Sequence, residues 1–231
     1  MQYKAVIPAT FLERPNRFIA HVQVNGERAV AHVKNTGRCR ELLVTGARVY
    51  LAVADDPSRK TKYDLIAVEK ERNGQAPLLI NMDAQAPNAA AEEWLRQGGL
   101  FPLGATVRRE VRYGDSRFDF YLEHGDRRAF LEVKGVTLEQ DGIARFPDAP
   151  TERGVKHVKE LCRCLVKGYE AYILFVIQMK EVTAFMPNDK THPAFGDALR
   201  AAAARGVKIL AMDCAVTAEG MTLSEAVPVM L

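Results

Sequence analysis

Hydrophobic and polar positions alternate in short runs through the first third of the chain. Residues 1–4 lead into a strand-like segment, and the alternation predicts further strands over 17–24, 28–33, 47–54 and 65–70. The pair Asn25-Gly26 is a common two-residue hairpin turn. The segment from Thr36 to Leu43 interrupts the alternation and is compatible with one helical turn between the third and fourth strands. This pattern predicts a small OB-type β-barrel, a fold that often binds oligonucleotides.

The charge distribution supports a separate basic module over residues 1–80. This part carries 13 Lys and Arg against 8 Asp and Glu, whereas residues 81–231 carry 19 against 21. Such an asymmetry indicates a polyanion-binding domain, and a solvated basic face is the alternative interpretation. The candidate phosphate contacts of this module are Arg14, Arg17, Arg38, Arg40, Arg59, Lys60 and Lys62.

From residue 81 the pattern changes to mixed helix and strand, which predicts a second domain over residues 81–231. Asn88 is expected to cap a helix that ends at Gly98-Gly99, and Thr151 a longer helix that ends at Gly168. Strands are predicted over 106–112, 117–122, 129–134, 171–177, 181–185 and 207–212, with an Ala-rich helix over 193–205. The whole chain is therefore expected to combine an OB-like barrel with a mixed sheet flanked by helices, in the α+β or α/β class.

Composition excludes several classes of protein. With 48% hydrophobic and 26% charged residues the chain is not a disordered or low-complexity sequence. No window approaches the roughly 18 apolar residues of a membrane helix, and residues 1–4 do not open a signal peptide. A cytoplasmic protein without a membrane partner is therefore expected. The cysteines lack zinc-type spacing and are expected to be reduced thiols: Cys39, Cys162, Cys164 and Cys214.

The segment 117–134 carries the candidate chemistry. Gly125-Asp126 predicts a type II′ hairpin loop, which pairs residues whose numbers sum to 251. In that register Asp119 lies opposite Glu132, and Arg117 lies opposite Lys134. The other face of both strands is apolar and is formed by Phe118, Phe120, Leu122, Ala129, Leu131 and Val133.

Two carboxylates directly opposite each other repel unless a cation or a proton compensates. Carboxylate ligands without Cys or clustered His favour Mg²⁺ or Mn²⁺, so Asp119 and Glu132 are the predicted metal ligands. Lys134 is expected to orient or help deprotonate an attacking water and to offset phosphate charge, which is the chemistry of phosphodiester hydrolysis. Glu110 and Glu92 are both candidates for a further acid. The alternative is a surface ion-pair ladder.

The order of elements resembles the core of the PD-(D/E)xK nuclease superfamily. More specifically, nearly the whole chain is similar to the sugar fermentation stimulation protein family, SfsA. The similarity rests on the segments Asn35-Thr36-Gly37-Arg38, Glu41-Leu42-Leu43, Ser116-Arg117-Phe118-Asp119-Phe120, Glu132-Val133-Lys134-Gly135-Val136-Thr137-Leu138, Phe146-Pro147-Asp148-Ala149-Pro150-Thr151-Glu152-Arg153-Gly154, Lys156-His157 and Ala218-Glu219-Gly220-Met221. The chain departs from the family pattern at Gly135, where Ser is frequent, and at His32-Val33-Lys34, where a Cys-Pro pair is frequent.

This resemblance implies an OB-like N-terminal domain, a nuclease-like C-terminal domain, DNA binding, and a link to the regulation of sugar metabolism. It assigns the nuclease motif to Asp119, Glu132 and Lys134. DNA is accordingly favoured over RNA as the partner. The helix after Thr151 carries basic residues that are expected to hold a nucleic-acid backbone, and an ordinary solvated face is the alternative. Together with the hairpin arginine, the candidates are Arg117, Arg153, Lys156 and His157.

Two functions from different classes follow from these patterns. One is a cytoplasmic nuclease that depends on Mg²⁺ and uses Asp119, Glu132 and Lys134. The other is a non-catalytic DNA-binding regulator of sugar metabolism, of the maltose type, in which the nuclease core serves as a scaffold. An interaction protein without a nucleic-acid role leaves the opposed carboxylates unexplained.

Overall fold

A computed structural model describes residues 1–35, 37, 39–56 and 58–231 of the chain. The chain forms two compact units. The first contains Met1–Ala86 together with the short segments Gln178–Lys180 and Cys214–Thr222. The second contains the remaining residues from Pro87 to Leu231. The first unit is therefore discontinuous in sequence, which local patterns do not reveal because they describe only neighbouring residues.

The first unit contains a six-stranded sheet in the order β3-β2-β1-β4-β5-β6. Its strands are β1 (Val6–Asn16), β2 (Ile19–Val24), β3 (Glu27–Val33), β4 (Arg48–Val53), β5 (Tyr63–Arg72) and β6 (Gln75–Asn81). Strand β3 also pairs in parallel with β5, and β5 is in turn connected to β1 through its neighbour β4. The central strand β5 is buried on both faces, since Leu65, Ile66, Ala67 and Val68 have no exposed surface.

The strand expected after residues 1–4 is β1, the four strands with predicted bounds are β2 to β5 with ends shifted by a few residues, and β6 was missed. The sequence of β6 contains Pro77, which cannot donate to a ladder and therefore argues against a strand. The structure accommodates it because β6 is an edge strand that pairs only with β5. In the segment expected to form a helical turn, the amides of Leu42 and Leu43 both donate to the carbonyl of Cys39.

The main sheet of the second half of the chain has the order β15-β14-β12-β9-β8-β7. Its strands are β7 (Thr106–Tyr113), β8 (Ser116–His124), β9 (Arg127–Val136), β12 (Glu170–Ile177), β14 (Lys208–Thr217) and β15 (Gly220–Ala226). The sheet is mixed, because β12 is parallel to β9 and β14 whereas β8 is antiparallel to β7 and β9. A small sheet adds β10 (Leu138–Gln140), β11 (Ile143–Phe146) and β13 (Ala184–Pro187). The predictions missed β10, β11 and β15.

Three helices accompany these strands: α1 (Ala86–Arg96), α2 (Glu152–Val166) and α3 (Pro193–Ala204). The prediction for α2 is confirmed, since Thr151 is the N-cap and its side chain accepts a hydrogen bond from the amide of Gly154. The prediction that Asn88 caps α1 is wrong, because α1 begins two residues earlier. The amide of Gln85 instead donates to Asp83 Oδ1 at 2.9 Å just before the helix. The side chain of Asn88 is therefore available for a contact outside the helix.

In the described part of the chain the cysteines form no disulfide, and Cys39, Cys164 and Cys214 are buried while Cys162 is partly exposed. The helices among the described residues are all too short or too polar to cross a membrane.

Candidate metal site

The hairpin of β8 and β9 has the predicted register. Phe120 pairs with Leu131, and the ladder continues in this register to His124 and Arg127. Gly125 has a φ of +56°, the sign that the first position of a type II′ turn requires. All six residues expected on the apolar face are buried, with exposed fractions from 0% to 7%: Phe118, Phe120, Leu122, Ala129, Leu131 and Val133. Phe118 nevertheless departs from the expected alternation, because its ring lies 5.3 Å from Phe130 and 6.3 Å from His157, on the side of Glu132.

The hydrogen-bonded ladder breaks at Asp119 on both sides of β8. Toward β9 it ends at Phe120 and Leu131, and toward β7 the pair with Glu110 is missing. The carboxylate of Asp119 takes over part of the bonding, because the amide of Val133 donates to its Oδ2 at 2.8 Å. Asn88 Nδ2 donates to Oδ1 at 3.0 Å. Both oxygens of Asp119 are thus oriented by donors from other elements.

Glu132 is 2% exposed, and its two oxygens have different surroundings. Oε1 accepts a hydrogen bond from Lys134 Nζ at 2.5 Å and a second, short one from His157 Nδ1. Oε2 is buried without a hydrogen-bond partner among the described residues. A buried carboxylate oxygen without a donor is costly, so this atom is suited to a ligand that supplies positive charge.

The charges at this site are unbalanced. Burial, followed by repulsion from Glu132, raises the pKa of Asp119 above its ordinary range. Burial also opposes ionisation of Glu132, but the His157 hydrogen bond and the Lys134 charge outweigh it and lower the pKa of Glu132. One carboxylate is therefore held ionised while its neighbour is disfavoured as an anion. A divalent cation between them would relieve this repulsion.

The donor set fits a hard cation and does not fit zinc. Both ligand candidates are carboxylates, which suit Mg²⁺, Mn²⁺ or Ca²⁺. Within the described ranges no three His, Cys, Asp or Glu side chains are grouped so as to hold a metal by themselves. Asp119 and Glu132 alone would fill only part of the coordination shell of such an ion, as is common for Mg²⁺, which retains several waters.

The two candidates for a third acid are both engaged elsewhere. Glu92 on α1 accepts hydrogen bonds from Arg96 and Arg109. Glu110 has a φ of +53°, is 64% exposed at its side chain, and forms an ion pair with Arg117 at 3.2 Å. Glu110 is nevertheless next to the site along the sheet, because its missing ladder partner is Asp119.

The basic residues predicted around the site have different positions. His157 is buried and contacts Glu132, while Arg153, one helical turn before it, donates to His157 Nε2 at 3.4 Å. Arg117 is exposed and paired with Glu110, and Lys156 donates to the carbonyl of Asp115. The structure thus brings His157 into the site and leaves Arg117, Arg153 and Lys156 along its margin.

Asn88 is the residue of this site that the sequence interpretation missed. Its side chain holds Asp119, although the sequence indicated a helix cap. The available signal was its place in the α1 sequence Ala-Pro-Asn-Ala-Ala-Ala, where the neighbouring small apolar residues face the core. An amide among buried alanines needs a polar partner, but the identity of that partner depends on tertiary packing.

The basic residues predicted for the first unit form two groups. Arg14, Arg17 and Arg40 line one cavity of about 320 Å³. Arg59, Lys60 and Lys62 lie between β4 and β5, where Arg59 is held by both oxygens of Asp64. Arg38 lies outside the described residues. Exposed aromatic surface accompanies the first group, because Phe18 is 51% exposed and Arg17 lies over its ring at 5.4 Å.

Comparisons with known proteins cover both units. Residues 12–76 match the sequence profile described as the SfsA N-terminal OB domain. Residues 85–220 match the profile of the sugar fermentation stimulation protein RE domain. A homologue of the sugar fermentation stimulation protein from Ruminiclostridium cellulolyticum is 55% identical over 94% of this chain and 93% of its own length. Another, from Desulfitobacterium hafniense, is 54% identical over 100% of this chain and 99% of its own.

A solved structure is similar over the whole chain. It is described as the structure of Pyrococcus furiosus SfsA in complex with Ca²⁺. It superposes with a TM-score of 0.87 at 29% sequence identity and covers 100% of this chain and 98% of its own. The similarity therefore includes both the strands of the first unit and the hairpin of the second.

Proposed function

This chain belongs to the sugar fermentation stimulation protein family, and from that premise we propose that it is a nucleic-acid phosphodiesterase that depends on a divalent cation. In this proposal the first unit is an OB-like barrel that binds the nucleic-acid backbone, with DNA favoured over RNA. The second is a PD-(D/E)xK nuclease-like domain that carries the reaction. The protein is expected to act in the cytoplasm.

A single observation carries the proposal. The buried Glu132 Oε2 has no partner among the described residues, and it belongs to a carboxylate whose neighbour, Asp119, is destabilised as an anion. A purely structural ion pair would satisfy both oxygens, since a buried unpaired acceptor costs about 1–3 kcal/mol. The related Pyrococcus protein with Ca²⁺ supports a hard cation as the missing partner.

The residues of the site have separate roles in this proposal. Asp119 and Glu132 hold Mg²⁺ or Mn²⁺, with Asn88 and the Val133 amide orienting Asp119. When bound, the cation polarises the phosphoryl group and makes a water more acidic. Lys134 donates to Glu132 Oε1, and its side chain at this site offsets the negative charge that develops on the phosphate.

The proposed backbone contacts are basic residues around the two sites. In the first unit, the cavity lined by Arg14, Arg17 and Arg40 offers cations beside the exposed ring of Phe18, a combination suited to phosphate contact and base stacking. The remaining candidates of the two units are Arg38, Arg59, Lys60, Lys62, Arg117, Arg153 and Lys156. Arg14 and Arg59 contribute least, because the guanidinium of Arg14 is held by the backbone carbonyls of Arg17, Asn35 and Gly37 and that of Arg59 by Asp64.

Metal binding and cleavage are tested together. Mg²⁺ and Mn²⁺ are titrated by calorimetry into wild type, Asp119→Asn and Glu132→Gln, and the same samples are assayed for cleavage of labelled single- and double-stranded DNA and RNA. The proposal expects both substitutions to abolish metal binding and wild type alone to cleave. Circular dichroism and thermal unfolding check that the metal-free variants fold, because the amide of Asp119→Asn turns a donor toward either the Val133 amide or Asn88 Nδ2, which both donate to Asp119.

The matched control is Glu123→Gln, which neutralises another carboxylate of β8 that pairs with Tyr121 and Arg108. It is expected to leave metal affinity and cleavage unchanged. Equal metal binding by wild type and Glu132→Gln would refute the assignment of the site.

The second candidate function is a non-catalytic DNA-binding regulator of sugar metabolism. It is favoured by the engagement of Glu92 and Glu110 with arginines, which leaves two carboxylates at the site. It expects nucleic-acid binding that weakens with salt, persists in Asp119→Asn and is never followed by cleavage. The same samples therefore separate the two functions.

A further inference from the structure

His157 is connected to the carboxylate site from the side of α2. It is 5% exposed and packs edge-on against the ring of Phe118 at 6.3 Å. Its Nδ1 is bonded to Glu132 Oε1, and its Nε2 lies 3.4 Å from Arg153 Nε. A histidine on a helix in a basic sequence suggests a phosphate contact, but this ring is turned inward.

The two partners of His157 determine which nitrogen carries the proton. Arg153 can only donate a hydrogen bond, so His157 Nε2 must accept. Glu132 Oε1 already accepts from Lys134 Nζ, so it acts as an acceptor and Nδ1 is the nitrogen that donates. The hydrogen bonds therefore run from Arg153 through His157 to Glu132.

The same chain of bonds decides which oxygen of Glu132 is available. His157 and Lys134 both donate to Oε1 and approach it from different elements, α2 and β9. Together they hold the carboxylate in one rotamer, with Oε2 as the oxygen that remains without a donor among the described residues.

We propose that His157 is a positioning residue that fixes the Glu132 carboxylate so that Oε2 alone faces a bound divalent cation. The inference rests on the proposed metal site and assigns the histidine a role distinct from general acid catalysis. Removal of an outer-shell donor of this kind lowers metal affinity by about 10- to 100-fold in other proteins.

The test uses two conservative variants and one that preserves the ring volume. His157→Asn carries an amide N–H near the position of Nδ1, whereas the longer His157→Gln places its amide near Nε2. His157→Phe keeps an aromatic ring beside Phe118 without any donor. Mn²⁺ affinity is measured by calorimetry in the full-length protein, and folding of each metal-free variant is checked by circular dichroism and thermal unfolding.

The expected result is a loss of affinity of about 10- to 100-fold in His157→Phe and His157→Gln, and recovery to within about threefold of wild type in His157→Asn. Wild-type affinity in a folded His157→Phe would overturn the proposal. So would an Asn variant as weak as the Gln variant.

A second measurement does not depend on metal or on a variant that folds. The ¹⁵N chemical shifts of the His157 imidazole in the metal-free wild type report which nitrogen carries the proton. The signal is assigned by its absence from His157→Asn or, if that variant does not fold, by connectivity through the backbone. The proposal expects a proton on Nδ1, and a ring that carries its proton on Nε2 alone would overturn it. If wild type binds no Mn²⁺ the proposed function fails by calorimetry, and the tautomer still decides whether His157 orients Glu132.

Discussion

The carboxylates of this protein have two contrasting kinds of surroundings. At the candidate metal site, Glu132 Oε1 is paired with Lys134 and His157, but Oε2 has no partner among the described residues and burial disfavours Asp119 as an anion. At Glu170 the surroundings are cationic: Arg127 donates to both carboxylate oxygens, and Tyr172 and Lys208 add further hydrogen bonds. A buried carboxylate oxygen without a partner is typical of a ligand site, whereas a carboxylate with both oxygens paired indicates a structural role.

Glu170 is therefore expected to make stability depend on pH. The hydrogen bond from Arg127, with those from Tyr172 and Lys208, outweighs burial and lowers the pKa of Glu170 to about 2. Because the folded pKa lies below the unfolded value of about 4.3, the stabilisation is complete above that value and is lost as pH falls toward 2. We expect Glu170→Gln to cost about 1 kcal/mol at pH 7, after allowance for the exposed partners, and almost nothing at pH 2.

Urea unfolding of wild type and Glu170→Gln at both pH values measures this difference. Arg127→Met is the companion variant, because it removes the first partner of the same carboxylate. A stability difference that stays constant between pH 7 and pH 2 would contradict the assignment.

At the scale of elements, α2 links local sequence to the site. Thr151 caps the helix, and Gly154 follows where an added Cβ would lie 2.9 Å from the Thr151 side chain and 3.2 Å from Phe195. A side chain at position 154 would therefore press first on the capping threonine and then on the α3 ring of Phe195. One turn further along, the same helix presents His157 to Glu132.

We expect Thr151→Ala to lower the free energy of unfolding by about 1 kcal/mol, because the amide of Gly154 loses its acceptor. Thr151→Ser keeps the hydroxyl and should retain most of the stability. Chemical unfolding followed by circular dichroism compares the two. Equal loss in both variants would show that packing of the methyl group, and not the cap, is responsible.

Local patterns predicted α2 and the β8–β9 hairpin well because their signals lie within the elements themselves. A capping threonine, helical spacing and a Gly-Asp turn need no distant partner. The strands β6, β10 and β11 were missed for the opposite reason. Pro77 is tolerated in β6 only at a sheet edge, and three- or four-residue strands carry too few positions for alternation to be read.

At the scale of the molecule, the first unit is completed by segments from the second half of the chain. Gln178 is 2% exposed, and its side-chain Nε2 donates to the backbone carbonyls of Asn81 and Asp83. Its backbone carbonyl accepts a hydrogen bond from the backbone amide of Asn81. The unit therefore depends on residues that lie almost a hundred positions away in sequence.

Gln178→Ala is expected to destabilise the first unit by about 2–3 kcal/mol, because buried backbone groups of Asn81 and Asp83 lose a donor. Hydrogen exchange should show faster opening of the β5 amides of Leu65 to Val68. The exposed Gln140→Ala serves as the control and should change nothing. Unchanged protection of β5 in Gln178→Ala would mean that the contact contributes little.

Several features follow from repetition and neighbouring residues along the chain. These are the alternating strands of the first unit, the register of the β8–β9 hairpin between Phe120 and Leu131 and its turn, the cap of α2 and the motifs shared with the sugar fermentation stimulation protein family. Period-2 alternation and turn chemistry specify such features locally.

Which side chains meet depends instead on the folded chain. It turned Asn88 from an expected cap into a donor to Asp119, buried His157 against Glu132, and engaged Glu92 and Glu110 with arginines. It also brought Gln178 into the first unit. These choices depend on how elements distant in sequence pack together and on which buried polar groups can find a donor, and no periodicity along the chain records either.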